Sequence, residues 1–402
     1  MATPKKIALI SRTDTRGGGA SRVADDIWAS VRDDADFNVE RYIGEFNDAA
    51  SKKTHRPITG YGDRLLRSLK MILSRRGWVD HHPIEVPFLN RGILFADVVH
   101  AHDISSVIAP QSLHLLTLGG RRVIWTLHDM SAITGGCIYP IGCSGWRDGC
   151  NSCPMLDQWP LGTRRDRTRG MQTRRLSILG KKSIELVAPS RWLAERVEVV
   201  VPGANVRVIP NGVDIDTFSP VERQSDGSSA KLLFVAMHIR DMRKGGTYLA
   251  DIRHHLEAIG RDLELVIVGD GNGGEVQRQG RLKIRYLGRL DDRAELAAAY
   301  RSADGLLLPT HADNFPLVML ESMSCGKPVF AFDTGGIAEA VDDDCGAIRP
   351  PGDIAGLIDA FFAAHDRGSI PALGAAARAK AVERYSMEVF AAAHRKLYLN
   401  PS

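Results

Sequence analysis

Short apolar runs alternate with helix-period stretches along this chain, and the alternation is met twice. In the first half the runs cover 6–10, 96–100, 122–127 and 185–188; in the second they cover 231–235, 263–268, 284–287, 305–308 and 328–331. They are rich in Val, Ile and Leu, and several have no polar face at all. A strand without a polar face is buried on both sides, as in parallel sheets covered by helices. Stretches such as 294–300, Ala-Glu-Leu-Ala-Ala-Ala-Tyr, supply the covering helices. The expected fold is α/β: two Rossmann-like, doubly wound parallel-sheet domains with a cleft between them. The turn-rich 209–214 and the weakly patterned 222–229 form the expected connector. In such sheets ligands bind outside the carboxyl ends of the strands.

Composition narrows the class. A chain of 402 residues has the length for two cores, and 44% hydrophobic residues with a net charge of +4 exclude a disordered chain and a polycationic nucleic-acid binder. No run of 18 apolar residues is present, and the N-terminal residues lack a secretory-signal pattern, so the expected location is cytoplasmic. Six cysteines, four of them within 137–153, are too few and too clustered for a disulfide framework.

Two glycine-rich loops follow apolar runs. Gly17, Gly18 and Gly19 precede a helical stretch, where backbone N–H groups and the helix dipole can meet an anion. Gly269-Asp270-Gly271-Asn272-Gly273-Gly274 formally satisfies G-x-G-x-x-G, with Asp291 and Asp292 about 20 residues on, and keeps a nicotinamide dehydrogenase open. Its place deep in the second half, before a polar stretch, argues against that reading.

The segment 310–329, Thr-His-Ala-Asp-Asn-Phe-Pro-Leu-Val-Met-Leu-Glu-Ser-Met-Ser-Cys-Gly-Lys-Pro-Val, closely resembles the donor-binding segment of retaining glycosyltransferases of family 4, which have the GT-B fold. Further matches stand in family order: the first glycine loop, 125–129, 187–190, 209–214, 243–245, 268–271, 287–289 and 334–339. The dinucleotide-like glycines then resemble the family's own loop, and the dehydrogenase falls away. The resemblance implies an acceptor-side domain over 1–210, a nucleotide-sugar domain over 211–385, and a helix over 386–402 packing back on the first. The tract 128–154 resembles a subset associated with bacterial surface-polysaccharide assembly, which points to exopolysaccharide or lipopolysaccharide synthesis.

Roles follow residue by residue. Asn314 is the expected helix cap, with Pro316 in the first turn and Gly326 and Pro328 ending the helix. Asp313, Asn314, Phe315, Pro316 and Leu317 then face a donor from a helix N-terminus. By resemblance Glu321 holds the ribose, Lys244 and Arg240 meet the diphosphate, and Gly18, Gly19, Gly335 and Gly336 border the donor. His128 contacts the transferred sugar, and the expected catalytic residues are His128, Asp313 and Lys244. The family's usual Glu is replaced by Asp313, one methylene shorter. The implied reaction is front-side transfer with retention, from a nucleotide-sugar to a glycan or lipid-linked acceptor, with no metal required for catalysis. A nucleotide-sugar epimerase and a catalytically weak glycan-binding subunit are the alternatives.

Two features lie outside these motifs. Cys137, Cys143, Cys150 and Cys153 suit a structural zinc ion that staples a loop with little core of its own. Residues 64–76 place apolar positions 65, 66, 69, 72 and 73 on one helix face among five basic residues, suited to an anionic membrane or to ordinary packing. A second basic stretch spans 164–175. Nucleic acid is not expected, because aromatics are not interleaved with the basic residues.

Overall fold

A computed structural model describes residues 3–221, 230–271 and 273–400; the segment 222–229 and Asn272 lie outside the described residues. The chain divides into two compact units, Met1–Pro210 with Ala391–Ser402, and Asn211–Phe390. Each is built on a seven-stranded sheet.

In the first unit the strands are β1 (Lys5–Thr13), β2 (Phe37–Glu45), β3 (Arg56–Pro57), β4 (Val98–Ala101), β5 (Arg122–Thr126), β6 (Glu185–Ala188) and β7 (Val206–Val208). Their order is β3-β2-β1-β4-β5-β6-β7, with every pairing parallel. The order reverses between β1 and β4, which places a ligand crevice at the carboxyl ends of those strands. β2 departs from the apolar pattern because it carries Arg41 into the interior. That guanidinium is fully buried and donates to Asp25 Oδ1 at 2.7 Å and to the Tyr42 carbonyl at 3.0 Å.

The second unit contains β8 (Lys231–Val235), β9 (Leu263–Val268), β10 (Val276–Gln279), β11 (Leu282–Gly288), β12 (Gly305–Leu308), β13 (Val329–Phe332) and β14 (Gly346–Arg349). Their order is β10-β11-β9-β8-β12-β13-β14, parallel except for the antiparallel edge strand β10. Here the reversal falls between β8 and β12. One core packs on each face: Leu233, Val266, Leu306 and Met319 on one side, Leu232, Leu265, Phe330 and Phe361 on the other. Fully buried strands of this kind leave no polar face to be seen in the sequence.

The helix Met387–Leu399 belongs to the first unit from Ala391 onward. Tyr398 is buried there, with its hydroxyl 2.8 Å from His100 Nδ1, while Arg122 donates to the Leu397 and Tyr398 carbonyls.

Candidate active site

In the second unit the loops leaving β8 and β12 meet where the strand order reverses. Lys244 closes a short 3-10 helix, Met242–Lys244, capped by Asp241, and its Nζ lies 2.5 Å from Asp313 Oδ2. Both side chains are mostly shielded but reach the surface. Arg243 braces the pair rather than forming a solvated turn: its Nη1 donates to the Ala312 carbonyl at 3.2 Å, and its own carbonyl accepts from His311 N at 2.8 Å. Arg240 is exposed and makes no hydrogen bond among the described residues. The loops after β8 and β9 are tied by Asp270, which accepts from Ile239 N at 2.7 Å and lies 3.1 Å from His238 Nδ1.

The loop holding Asp313 is fixed from the β13 side. Gly336 N donates to the Asn314 carbonyl at 2.7 Å. Gly335 has φ +64°, and a Cβ there would stand 1.9 Å from the Asp313 carbonyl oxygen, so only glycine fits. The following helix, Leu317–Ser324, has Pro316 and not Asn314 as its cap. Proline has the extended ψ that a cap needs and no N–H to leave unbonded. The amides at the front of this helix are therefore those of Leu317 and Val318. Asn314 is buried, and the Phe315 ring packs edge-on against Tyr385 at 5.5 Å, so its side chain serves the core.

Glu321 is 2% exposed and accepts from the Tyr300 hydroxyl at 2.8 Å. It is thus a buried carboxylate held from a neighbouring helix, Arg293–Ser302. Tyr300 carries no motif in the sequence, and its alternation with alanines resembles any core position.

In the first unit the glycine loop follows β1. Asp14 Oδ2 accepts from Asn47 N and Asp48 N, each at 2.7 Å, anchoring the loop before it turns into the helix Gly19–Val31. Gly18 has φ +118°, and a Cβ on Gly18 or Gly19 would meet nothing within 4 Å. Space therefore lies open in front of this helix N-terminus, as anion binding requires.

His128 follows β5 and is half-buried. Its Nε2 stands 2.9 Å from His102 Nδ1, and the two rings stack with centroids 5.2 Å apart. Burial, then the neighbouring His394, pushes His128 down to about 4, so it is neutral at neutral pH and acts as a hydrogen-bonding group. Burial and the adjacent His100 hold His102 well below the usual range as well. Asp103 is pushed up to about 6, first by burial and then by the charge of Asp129.

The four clustered cysteines share one loop tract, near enough for each thiol's charge to act on its neighbours. Among the described residues no three His, Cys, Asp or Glu side chains are gathered closely enough to hold a metal, and all four are free thiols. Burial pushes Cys137 up to about 12 and Cys150 to about 11, and the neighbouring thiols add to both shifts. The tract is fastened by the helix Thr168–Leu179. Gln172 Nε2 donates to the Ile133 and Trp146 carbonyls at 3.0 and 2.7 Å, and its Oε1 accepts from Cys150 N at 2.6 Å. Arg175 Nη1 donates to the Ser131 and Thr134 carbonyls, and Cys137, Leu161, Met171 and Val79 give the loop a small core. Part of the second basic stretch is thus committed internally.

The helix Asp63–Arg75 buries only Leu66. Lys70 ties it down by donating to the Val107 carbonyl, while Leu65, Leu69, Met71 and Ile72 are exposed. No helix among the described residues is long and apolar enough to cross a membrane.

Two family models match the chain: Glycosyltransferase Family 4 over residues 40–217 and Glycosyl transferases group 1 over residues 229–366. The putative colanic acid biosynthesis glycosyl transferase WcaC of Escherichia coli is 27% identical over 226 residues, 52% of this chain and 51% of that protein. The phosphatidyl-myo-inositol mannosyltransferase of Mycobacterium leprae is 33% identical over 213 residues, 51% of this chain and 56% of the relative. The chain spans about half the length of these curated relatives. Among solved structures, sucrose-phosphate synthase of Thermosynechococcus elongatus superposes with a TM-score of 0.67 at 19% identity over 98% of both chains. HepE of Anabaena, in complex with UDP, gives 0.66 at 18% identity, covering 98% of this chain and 99% of that one. The fold is that of the GT-B glycosyltransferases, and with its two halves matched in order the chain belongs to the family 4, group 1 glycosyltransferases.

Proposed function

We propose that this protein transfers a glycosyl unit, with retention, from a nucleotide-sugar to a glycan or lipid-linked acceptor in bacterial surface-polysaccharide or glycolipid synthesis. The observation that carries the reading is the Lys244–Asp313 pair at the strand-order reversal of the second unit. A cation there meets the donor diphosphate and the charge that grows on it as the glycosyl bond breaks. Asp313 accepts from a hydroxyl of the transferred sugar, and Glu321 accepts from the ribose. Arg240, exposed on the same loop, adds charge as the donor settles. The acceptor hydroxyl attacks on the face the nucleotide leaves, the departing phosphate takes its proton, and the protein contributes position and field.

UDP-sugars are the first donors to test, since HepE was solved with UDP and with UDP-glucose. An acceptor carried on a lipid accords with the exposed stripe Leu65, Leu69 and Ile72, flanked by Arg64, Arg67, Arg75 and Arg76, which suits an anionic membrane surface.

A thermal-shift screen over UDP-, GDP- and ADP-sugars tests the donor, because a ligand bound only by the folded state raises its melting temperature. One nucleotide class should stand out, and Lys244→Ala should abolish the response. Labelled donor then separates transfer to acceptor from free interconversion, which would indicate an epimerase. No response to any nucleotide-sugar overturns the reading.

A further inference from the structure

In the first unit β4 and β5 lie side by side, and each is followed by the dipeptide His-Asp: His102-Asp103 after β4 and His128-Asp129 after β5. The two histidines are hydrogen-bonded across the strands, and the two aspartates stand close enough for the charge of one to oppose ionisation of the other. Between the strand ends lies a cavity the size of about one water-sized group, lined by His102, Asp103, Thr126, His128 and Asp129. His102 is 1% exposed, and with its Nδ1 facing His128 its Nε2 has no hydrogen-bond partner. A buried ring nitrogen left unbonded is destabilising, so a partner absent from the protein itself is expected.

The surroundings select that partner. Two carboxyl groups disfavour an anion. The Arg12 guanidinium, which lowers Asp103's proton affinity and whose Nε is itself buried without a partner, disfavours a cation, and no three His, Cys, Asp or Glu side chains among the described residues are placed to hold a metal ion. A neutral hydroxyl both donates and accepts and meets neither objection. Arg12, whose N donates to the Asp103 carbonyl at 2.7 Å, also stacks 4.6 Å from the ring centre of Trp159, an indole 47% exposed at the same edge. Exposed aromatic faces beside carboxylates suit the apolar faces and hydroxyls of a sugar ring.

We propose that the paired His-Asp strand ends form a saccharide subsite: one ring hydroxyl fills the cavity, bonded by His102 Nε2 and the carboxyls of Asp103 and Asp129, beside Trp159. The subsite would hold the acceptor sugar, and to that extent it rests on the transfer reaction proposed above, but it is tested without nucleotide. Saturation-transfer NMR at pH 7.5 with methyl glycosides of glucose, galactose and mannose should show binding of at least one to the wild-type protein. Asp103→Ala should weaken that binding tenfold or more, with the isosteric Asp103→Asn, expected to fold at least as well as wild type, losing severalfold. If no glycoside binds the wild type, or if both variants bind as the wild type does, the cavity holds only water and the proposal fails. The same samples are screened with UDP-sugars. A protein that binds glycoside but no nucleotide-sugar keeps this subsite and loses the proposed reaction; the converse result keeps the reaction and removes the subsite.

Discussion

At the scale of single residues, the proposed donor site turns on competition for Lys244. Its ammonium is paired with Asp313 before any phosphate arrives. Asp313→Asn should therefore raise UDP affinity a few-fold in calorimetry while turnover falls, because the sugar loses its carboxylate. Asp313→Glu distinguishes reach from charge: turnover held or increased means the longer acid fits this loop. Glu321 behaves differently because it is buried. Glu321→Ala should weaken UDP binding roughly tenfold to hundredfold, and by stranding the Tyr300 hydroxyl should also lower stability by about 1–3 kcal/mol in urea unfolding. Tyr300→Phe separates the two effects, since it removes only the brace. Glu321, Lys244 and Asp313 were legible as candidates because they sit in motifs whose spacing is distinctive. Tyr300, His102 and Asp103 were not, since each acts through a neighbour distant in sequence. The repeated His-Asp dipeptide was the one visible sign of the second cluster.

At the scale of elements, continuous apolar strands were easily read: 185–188, 231–235, 263–268 and 305–308 coincide with β6, β8, β9 and β12. β2 escaped because Glu40 and Arg41 interrupt it, and the charge of Arg41 is answered by Asp25 from a helix, a pairing invisible in a linear pattern. β14, Gly-Ala-Ile-Arg, is too short to carry a periodic signal. The fastening of the cysteine tract was hidden for a similar reason. Its stapling groups, Gln172 and Arg175, lie on a helix beyond the loop. Gln172→Ala should cost about 3 kcal/mol, the loss of several buried hydrogen bonds, whereas a chelator should leave the melting temperature unchanged. The helix Asp63–Arg75 splits its apolar positions, with Leu66 turned inward and Leu65, Leu69 and Ile72 outward. Replacing those three with Gln should reduce co-flotation with phosphatidylglycerol vesicles at least tenfold without loss of helix content by circular dichroism.

At the scale of the whole molecule, the elevated Asp103 makes stability depend on pH. The folded state holds that proton more tightly than the unfolded chain, so its contribution is complete below about pH 4 and is lost as pH rises through about 6. Asp103→Asn should then stabilise the first unit by up to about 3 kcal/mol at pH 7 and by nothing at pH 4, measured on that unit's own unfolding transition. The chain path has another outcome. The first unit buries Leu397 and Tyr398, and Lys5 on β1 donates to the Tyr398 carbonyl at 3.2 Å. Those residues are synthesised after all of 211–390. On the ribosome the usual order is inverted: the first unit waits, its sheet lacking one covering helix, while the second can close on its own. A nascent chain stalled before residue 391 should yield a protease-resistant second unit beside a first unit that is still digested, and release of the full chain should protect both.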